Sequence, residues 1–173
     1  PPGWPELLGT IPLPENATVW NMSYVVYNTK DTKMLNRVII PAIQETNPDL
    51  KNLNALKDQT PVRFPVVSEL ASLAPQVCRL SLYSSFDLSK AYTTFYNLQP
   101  IASDVDQDIE FVALWDHLQG LRFHILLPDS FDTPVRAEEA HEKLPPALQK
   151  QPQVLDWTKG SARPIILNHQ GLS

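Results

Sequence analysis

"NPDLKNLNALKDQTPVRFP", residues 47–65, decides how the chain folds. Asn47-Pro48 stops a helix, because a proline ring disfavours helical backbone in the residue before it. The stretch closes on "TPVRFP", a short strand bounded by proline, whose missing N–H suits an edge or a ladder end. Between stop and strand lies a long polar connection with hardly an apolar face, and such a connection must be held by its neighbours.

Those neighbours read as a strand and two helices. "GTIPL" (9–13) is short, apolar and proline-flanked, which predicts an edge strand. In "NATVWNMSYVVYN" (16–28) the apolar residues Val19, Trp20, Met22, Tyr24, Val25 and Val26 fit either a buried helix or a strand; length and the start signals Asn16 and Thr18 favour the helix. A second helix is predicted over 32–46 from Leu35, Val38, Ile39, Ala42 and Ile43, with Pro41 bending it or marking its first turn. One small core of Trp20, Val25, Ile39, Ile43, Leu56 and Phe64 is expected.

The order strand, helix, helix, strand carries a resemblance. "ATVWNMSYVVYN" resembles the "GDTLWxIAxxxYG" opening of LysM peptidoglycan-binding modules. "NPDLKNLNALKDQTPVRFP" resembles their "NPxLxxPNxIxPGQxLxIP" ending without a gap, matching at Asn47, Pro48, Leu50, Asn54, Leu56, Val62, Phe64 and Pro65. The resemblance implies a shallow groove for N-acetylated sugars, with Thr18 on one side and Asn47, Pro48, Asp49 and Leu50 on the other. Asn16-Ala17 stands where the family has Gly-Asp, and Asp58-Gln59 where it has Pro-Gly. Glycine often marks a positive φ that other residues reach at a cost, asparagine least of all.

Composition bounds the rest. A chain of 173 residues, 43% hydrophobic, can bury a core. Seventeen prolines against five glycines imply short elements with stiff corners. A net charge of −5 argues against sequence-independent nucleic-acid binding. The single cysteine, Cys78, excludes an intrachain disulfide and a cysteine metal cage. No run approaches the roughly 20 apolar residues of a membrane helix. The amino terminus has no charged-then-apolar signal pattern, so a signal or anchor would have been removed.

Residues 67–76 are expected to be a short packed connector between a first domain (1–66) and a second (77–158), with a tail (159–173) of no evident purpose. "VCRLSLYSSF" alternates as a half-buried strand, Cys78, Leu80 and Leu82 against Arg79, Ser81 and Tyr83. "DLSKAYTTFYNL" follows as a helix capped by Asp87, with a stripe of Leu88, Ala91, Tyr92, Phe95 and Leu98. Residues 108–128 read as two strands meeting at Gln119-Gly120, 133–148 as a helix capped by Thr133, and "PQVLDW" as a last strand. The βαββαβ order resembles the ferredoxin-like SPOR domain, with "CRLSLYSSF" and "LRFHILLPDSF" similar to its strand repeats and the family glycines falling on Tyr83 and Leu127. The expected fold class is α+β, a βααβ unit followed by a βαββαβ unit.

A two-residue turn at Gln119-Gly120 would set Trp115 opposite His124 and His117 opposite Arg122. Arg79, Ser81, Tyr83, Trp115, His117, Arg122 and His124 would then share one sheet face, opposite Val112, Leu114, Phe123, Ile125 and Leu127. Aromatic rings among hydrogen-bonding groups suit sugar recognition, and the SPOR resemblance implies glycan binding on the helix-free face. The same face would equally suit a junction with the first half. His117 and His124 lack an assured third ligand, so no metal is expected, and no cofactor. No GxSxG, HExxH or phosphate loop is present, and Cys78 alternates into the core, so no catalytic residue is expected. His141 is placed on a solvated helix face and His169 in a polar tail. Two functions follow. One is noncatalytic anchoring of a bacterial cell-envelope protein, periplasmic or wall-associated, to peptidoglycan glycan strands. The other is a protein-interaction scaffold in an envelope secretion or division complex.

Overall fold

The computed structural model describes residues 3–149, 152–159 and 163–168; His169 lies outside them. The fold is mixed α+β, with a two-stranded antiparallel ribbon, a six-stranded antiparallel sheet and helices.

The ribbon pairs β1 (Leu7–Pro12) with β2 (Pro61–Pro65). Pro12 faces Pro61 at one end and Leu7 faces Pro65 at the other, positions where a missing N–H is tolerated. Helix α1 (Val19–Val26) starts at Thr18, whose Oγ1 accepts from the Asn21 N–H at 3.0 Å. It buries Val19, Met22, Ser23 and Val26, while Trp20, Tyr24 and Val25 pack at the margin. Asp31 caps α2 (Thr32–Met34), which runs through a π turn (Leu35–Ile39) into α3 (Ile40–Thr46). In that turn the Ile40 N–H reaches back to the Leu35 carbonyl, just ahead of Pro41, whose ring has no N–H for Arg37. Leu35, Ile39 and Ile43, four apart, are fully buried.

The polar connection after α3 is held by Asn47. Its Oδ1 accepts from the Arg63 N–H at 2.9 Å, and its Nδ2 donates to the Arg63 carbonyl at 2.8 Å and the Ile43 carbonyl at 2.7 Å. One buried carboxamide thus ties the end of α3 to β2 as an extra strand residue would. Gln44 Nε2 donates to the Leu50 carbonyl at 2.8 Å, and Leu53 pins the middle of the loop into the core.

Residues 68–70 form a 3₁₀ turn with Val67 and Leu70 buried, and Ser72–Leu73 form β3, so the connector reaches the large sheet itself. That sheet runs β3, β8, β5, β6, β4, β7, where β4 is Cys78–Ser85, β5 Glu110–Asp116, β6 Gly120–Phe131, β7 Gln153–Asp156 and β8 Ile165–Ile166. The tail therefore inserts β8 between β3 and β5, which the sequence reading did not anticipate. Helix α4 (Leu88–Asp104), capped by Asp87, buries Leu88, Ala91, Tyr92, Phe95 and Ala102. It continues past Leu98 through Pro100. Helix α5 (Pro134–Glu142) starts at Thr133, and His141 on it is half-buried against β7 rather than solvated.

One core runs through both halves of the chain. Val26, Ile39 and Phe64 belong to the same buried cluster as Phe95, Phe111, Trp115 and Phe123. Gly9, at a bulge with φ +152°, lets β1 touch α4: a Cβ there would meet Leu88 Cβ at 2.8 Å. The tightest link is Asn168, fully buried, whose Nδ2 donates to the carbonyls of Val26 (2.9 Å) and Phe111 (2.8 Å) while its Oδ1 accepts from the Ala113 N–H (2.8 Å).

Asn168→Ala leaves three buried backbone groups unpartnered, each worth about 1–3 kcal/mol. The expected result is a urea midpoint lowered by several kcal/mol in stability; a midpoint within error of the wild type would show that the carboxamide carries no load.

Candidate functional site

The hairpin between β5 and β6 turns differently from the two-residue expectation. Asp116 faces Gly120, and His117, Leu118 and Gln119 form a three-residue loop. Asp116 Oδ1 accepts from the N–H groups of Leu118 (2.8 Å) and Gln119 (2.7 Å), and Gly120 has φ +73°. This aspartate-initiated turn closed by a left-handed glycine sets Trp115 against Leu121, Leu114 against Arg122 and Val112 against His124. The shift is odd in residue count, so the faces exchange.

Trp115 consequently lies with Phe111, Ala113, Phe123 and Ile125 in the core shared with α1, only 6% exposed. It covers the junction with the first half, not an open sheet face. Tyr83 packs against the same core, because a bulge in β4 between Ser81 and Tyr83 turns it inward opposite Ile125. His117 stays exposed in the loop, its ring edge-on to Trp115 at 4.6 Å. The seven residues expected on one face are therefore divided.

Four of them remain together. Arg79 is buried, its guanidinium donating to Glu110 Oε2 at 2.8 Å and to the Leu127 carbonyl at 2.7 Å. Strand β4 is buried on both faces from Cys78 to Leu82, not half-buried as its alternation suggested. Ser81 Oγ donates to the Tyr83 carbonyl at 3.1 Å and lies 2.8 Å from His124 Nδ1. Burial, with the Arg122 charge adding to it, lowers His124 to about 4, so the ring is neutral at pH 7. The Arg122 guanidinium sits over the Phe86 ring, 4.3 Å from its centroid.

Arg122 and His124 line a cleft of about 230 Å³ with Asp116, Gln119, Asp156 and Trp157. Beside it, Val112, Leu114, Leu126 and Ile166 form an apolar patch with no helix residue, and the buried Trp157 covers it. The helix-free face thus carries its own lid. Cys78 Sγ meets Asp156 Oδ1 at 3.5 Å, and burial pushes its thiol up to about 11, so it stays protonated at neutral pH.

In the first unit the groove residues are arranged unequally. Thr18 spends its hydroxyl on the α1 cap and Asn47 spends its carboxamide on Arg63 and Ile43. Asp49 pairs with Arg63 at 2.7 Å on the surface, Pro48 is exposed and Leu50 is half-buried against the core. The loop on the Thr18 side faces α4. Pro14, Glu15, Asn16, Ala17 and Asn21 form a second cleft with Tyr92, Thr93 and Tyr96, about 280 Å³ in volume. Sequence reasoning assigned Tyr92 to the core and passed over Tyr96; the available signal was that Tyr96 is an aromatic standing off the Leu88, Ala91, Tyr92, Phe95 stripe, and it is 66% exposed.

No protein-family model matches the chain, and neither curated proteins nor solved structures give a match.

The buried neutral His124 has a pH signature. Its folded pKa lies below the unfolded value, so its contribution to stability is complete above about pH 6.5 and is lost as pH falls towards about 4. Urea midpoints at pH 7 and pH 4.5 should fall less in His124→Gln than in the wild type. Equal falls in both proteins would remove His124 from the acid sensitivity.

Proposed function

We propose that this chain is a noncatalytic anchoring region of a bacterial cell-envelope protein, periplasmic or wall-associated, that binds peptidoglycan glycan strands through a LysM-like unit (residues 1–66) joined to a SPOR-like, ferredoxin-like unit (77–158). The observation that carries the reading is backbone conformation. Asn16 (φ 62°) and Gln59 (φ 68°) are left-handed, and they occupy the two positions where the LysM pattern has glycine. Left-handed backbone in a non-glycine residue is uncommon, and Gln59 lacks even the tolerance of asparagine. Two such coincidences, on a chain running strand, helix, helix, strand with its strands paired antiparallel, support the resemblance beyond side-chain matches.

The second unit adds weaker support. Its strands lie in the order second, third, first, fourth, all antiparallel, as a ferredoxin-like βαββαβ unit requires. The β4–β6 ladder breaks beside Tyr83 and across Leu127, the two positions of the SPOR glycines. Glycine within a strand commonly marks such a break. Sugar contact in this reading falls to the first unit, since Trp157 occupies the helix-free face of the second. That same covered face favours a second reading, a protein-interaction scaffold in an envelope complex that kept the folds and lost sugar binding.

Retention on purified peptidoglycan sacculi separates the two. The wild type should be retained, also after the stem peptides are stripped. Pro48→Ala with Asp49→Ala should reduce retention several-fold with native circular dichroism, because both residues are exposed and the surface Asp49–Arg63 pair is worth at most about 1 kcal/mol. A wild type that never binds sacculi would transfer the case to the scaffold.

A further inference from the structure

We propose that the cleft between the loop preceding α1 and helix α4 holds one N-acetylated pyranose ring, with Tyr96 as its stacking platform. The inference rests on the wall-binding reading and adds to it a site that α4 completes, apart from the groove at Pro48 and Asp49. Its ground is a concentration of uncommitted groups. The side chains of Glu15, Asn16, Asn21, Tyr92, Thr93 and Tyr96 surround one cleft, and none of them makes a hydrogen bond within the described residues. The buried amides Asn47 and Asn168, by contrast, are spent on the fold.

The lining selects the ligand class. It contains no Lys, Arg or His and one carboxylate, Glu15, so it offers no positive charge to a phosphate or carboxylate and favours a neutral polyol. Two carboxamides and a carboxylate supply both donors and acceptors for hydroxyl and acetamido groups. The phenol rings supply an apolar surface for the C–H face of a pyranose or an acetamido methyl. At about 280 Å³ the cleft stands at the small end of ligand sites, near 300 Å³, which fits one sugar ring of a longer strand leaving by the open side. Burial, and after it the neighbouring Tyr96, raises Tyr92 above its ordinary range.

The site is also placed where neither half could build it alone. Asn16 owes its position to a left-handed turn ahead of α1, and Tyr96 to the packing of α4 on β1 at Gly9. A strand held there would contact both units at once.

The test titrates the full chain with N,N′,N″-triacetylchitotriose, following the Asn side-chain amide signals by NMR, and measures sacculus retention in parallel. Tyr96 is exposed and off the buried stripe, so Tyr96→Ala leaves the fold intact, which circular dichroism checks. Tyr96→Ala should weaken chitotriose binding by about five- to tenfold, the loss of one aromatic contact, and lower sacculus retention with it. Tyr96→Phe, which keeps the ring, should bind within about twofold of the wild type. If Tyr96→Ala binds both probes like the wild type, the cleft is not the site while the wall-binding reading stands. If the wild type binds neither probe, the reading and the cleft fall together.

Discussion

A single buried carboxamide, that of Asn168, holds together parts of the chain that are up to 142 residues apart in sequence. Its two donors go to carbonyls of α1 and β5, and its acceptor takes an N–H of β5. Val26 is the last residue of α1, where helix carbonyls have no intrahelical partner, so the bond closes a helix end that would otherwise be stranded in the core. The closure fixes the C-terminal end of α1 against β5, while the Thr18 cap sets its other end locally.

Asn47 repeats the same solution. Both asparagines present a carboxamide to backbone groups with the geometry of a peptide unit, and both are almost fully buried. Both stand where regular structure stops, at the last carbonyl of α1 and between the end of α3 and β2. Side-chain amides supply the missing pairs, and because such groups are costly to leave unpaired in a core, they specify one arrangement of elements.

Element identity was legible in the sequence because it is written locally. Thr18, Asp31, Asp87 and Thr133 each accept from a backbone N–H two or three residues on, as caps do, and the four-residue spacing of Leu35, Ile39 and Ile43 marks their helix without tertiary help. The hairpin register was not legible. Gln119-Gly120 looks like a two-residue turn, whereas Asp116 captures two N–H groups and lengthens the loop by itself. One side-chain acceptor thereby moved Trp115 to the opposite face. Strand β8 escaped for another reason: two residues, Ile165 and Ile166, carry no period, and their strand character comes wholly from the partners β3 and β5.

Insertion of β8 also decides where a ligand can meet the molecule. Strand β7 closes one edge of the sheet and β8 lies four places away, roughly 19 Å at normal strand spacing. The residues that leave β7 and enter β8, Trp157 and Pro164, both border the helix-free face, and Trp157 seals the apolar patch formed by Val112, Leu114 and Leu126. An apolar patch closed by the chain's own indole gains burial that a sugar, with its hydroxyls to satisfy, would not match. The opposite face is filled by α4, α5 and the first unit. One open seam lies where the loop before α1 meets α4, with exposed Tyr96 beside unspent carboxamides. In the proposed reading this seam adds to the exposed groove at Pro48 and Asp49, and Asn168 fixes the far end of the helix that follows the seam's loop.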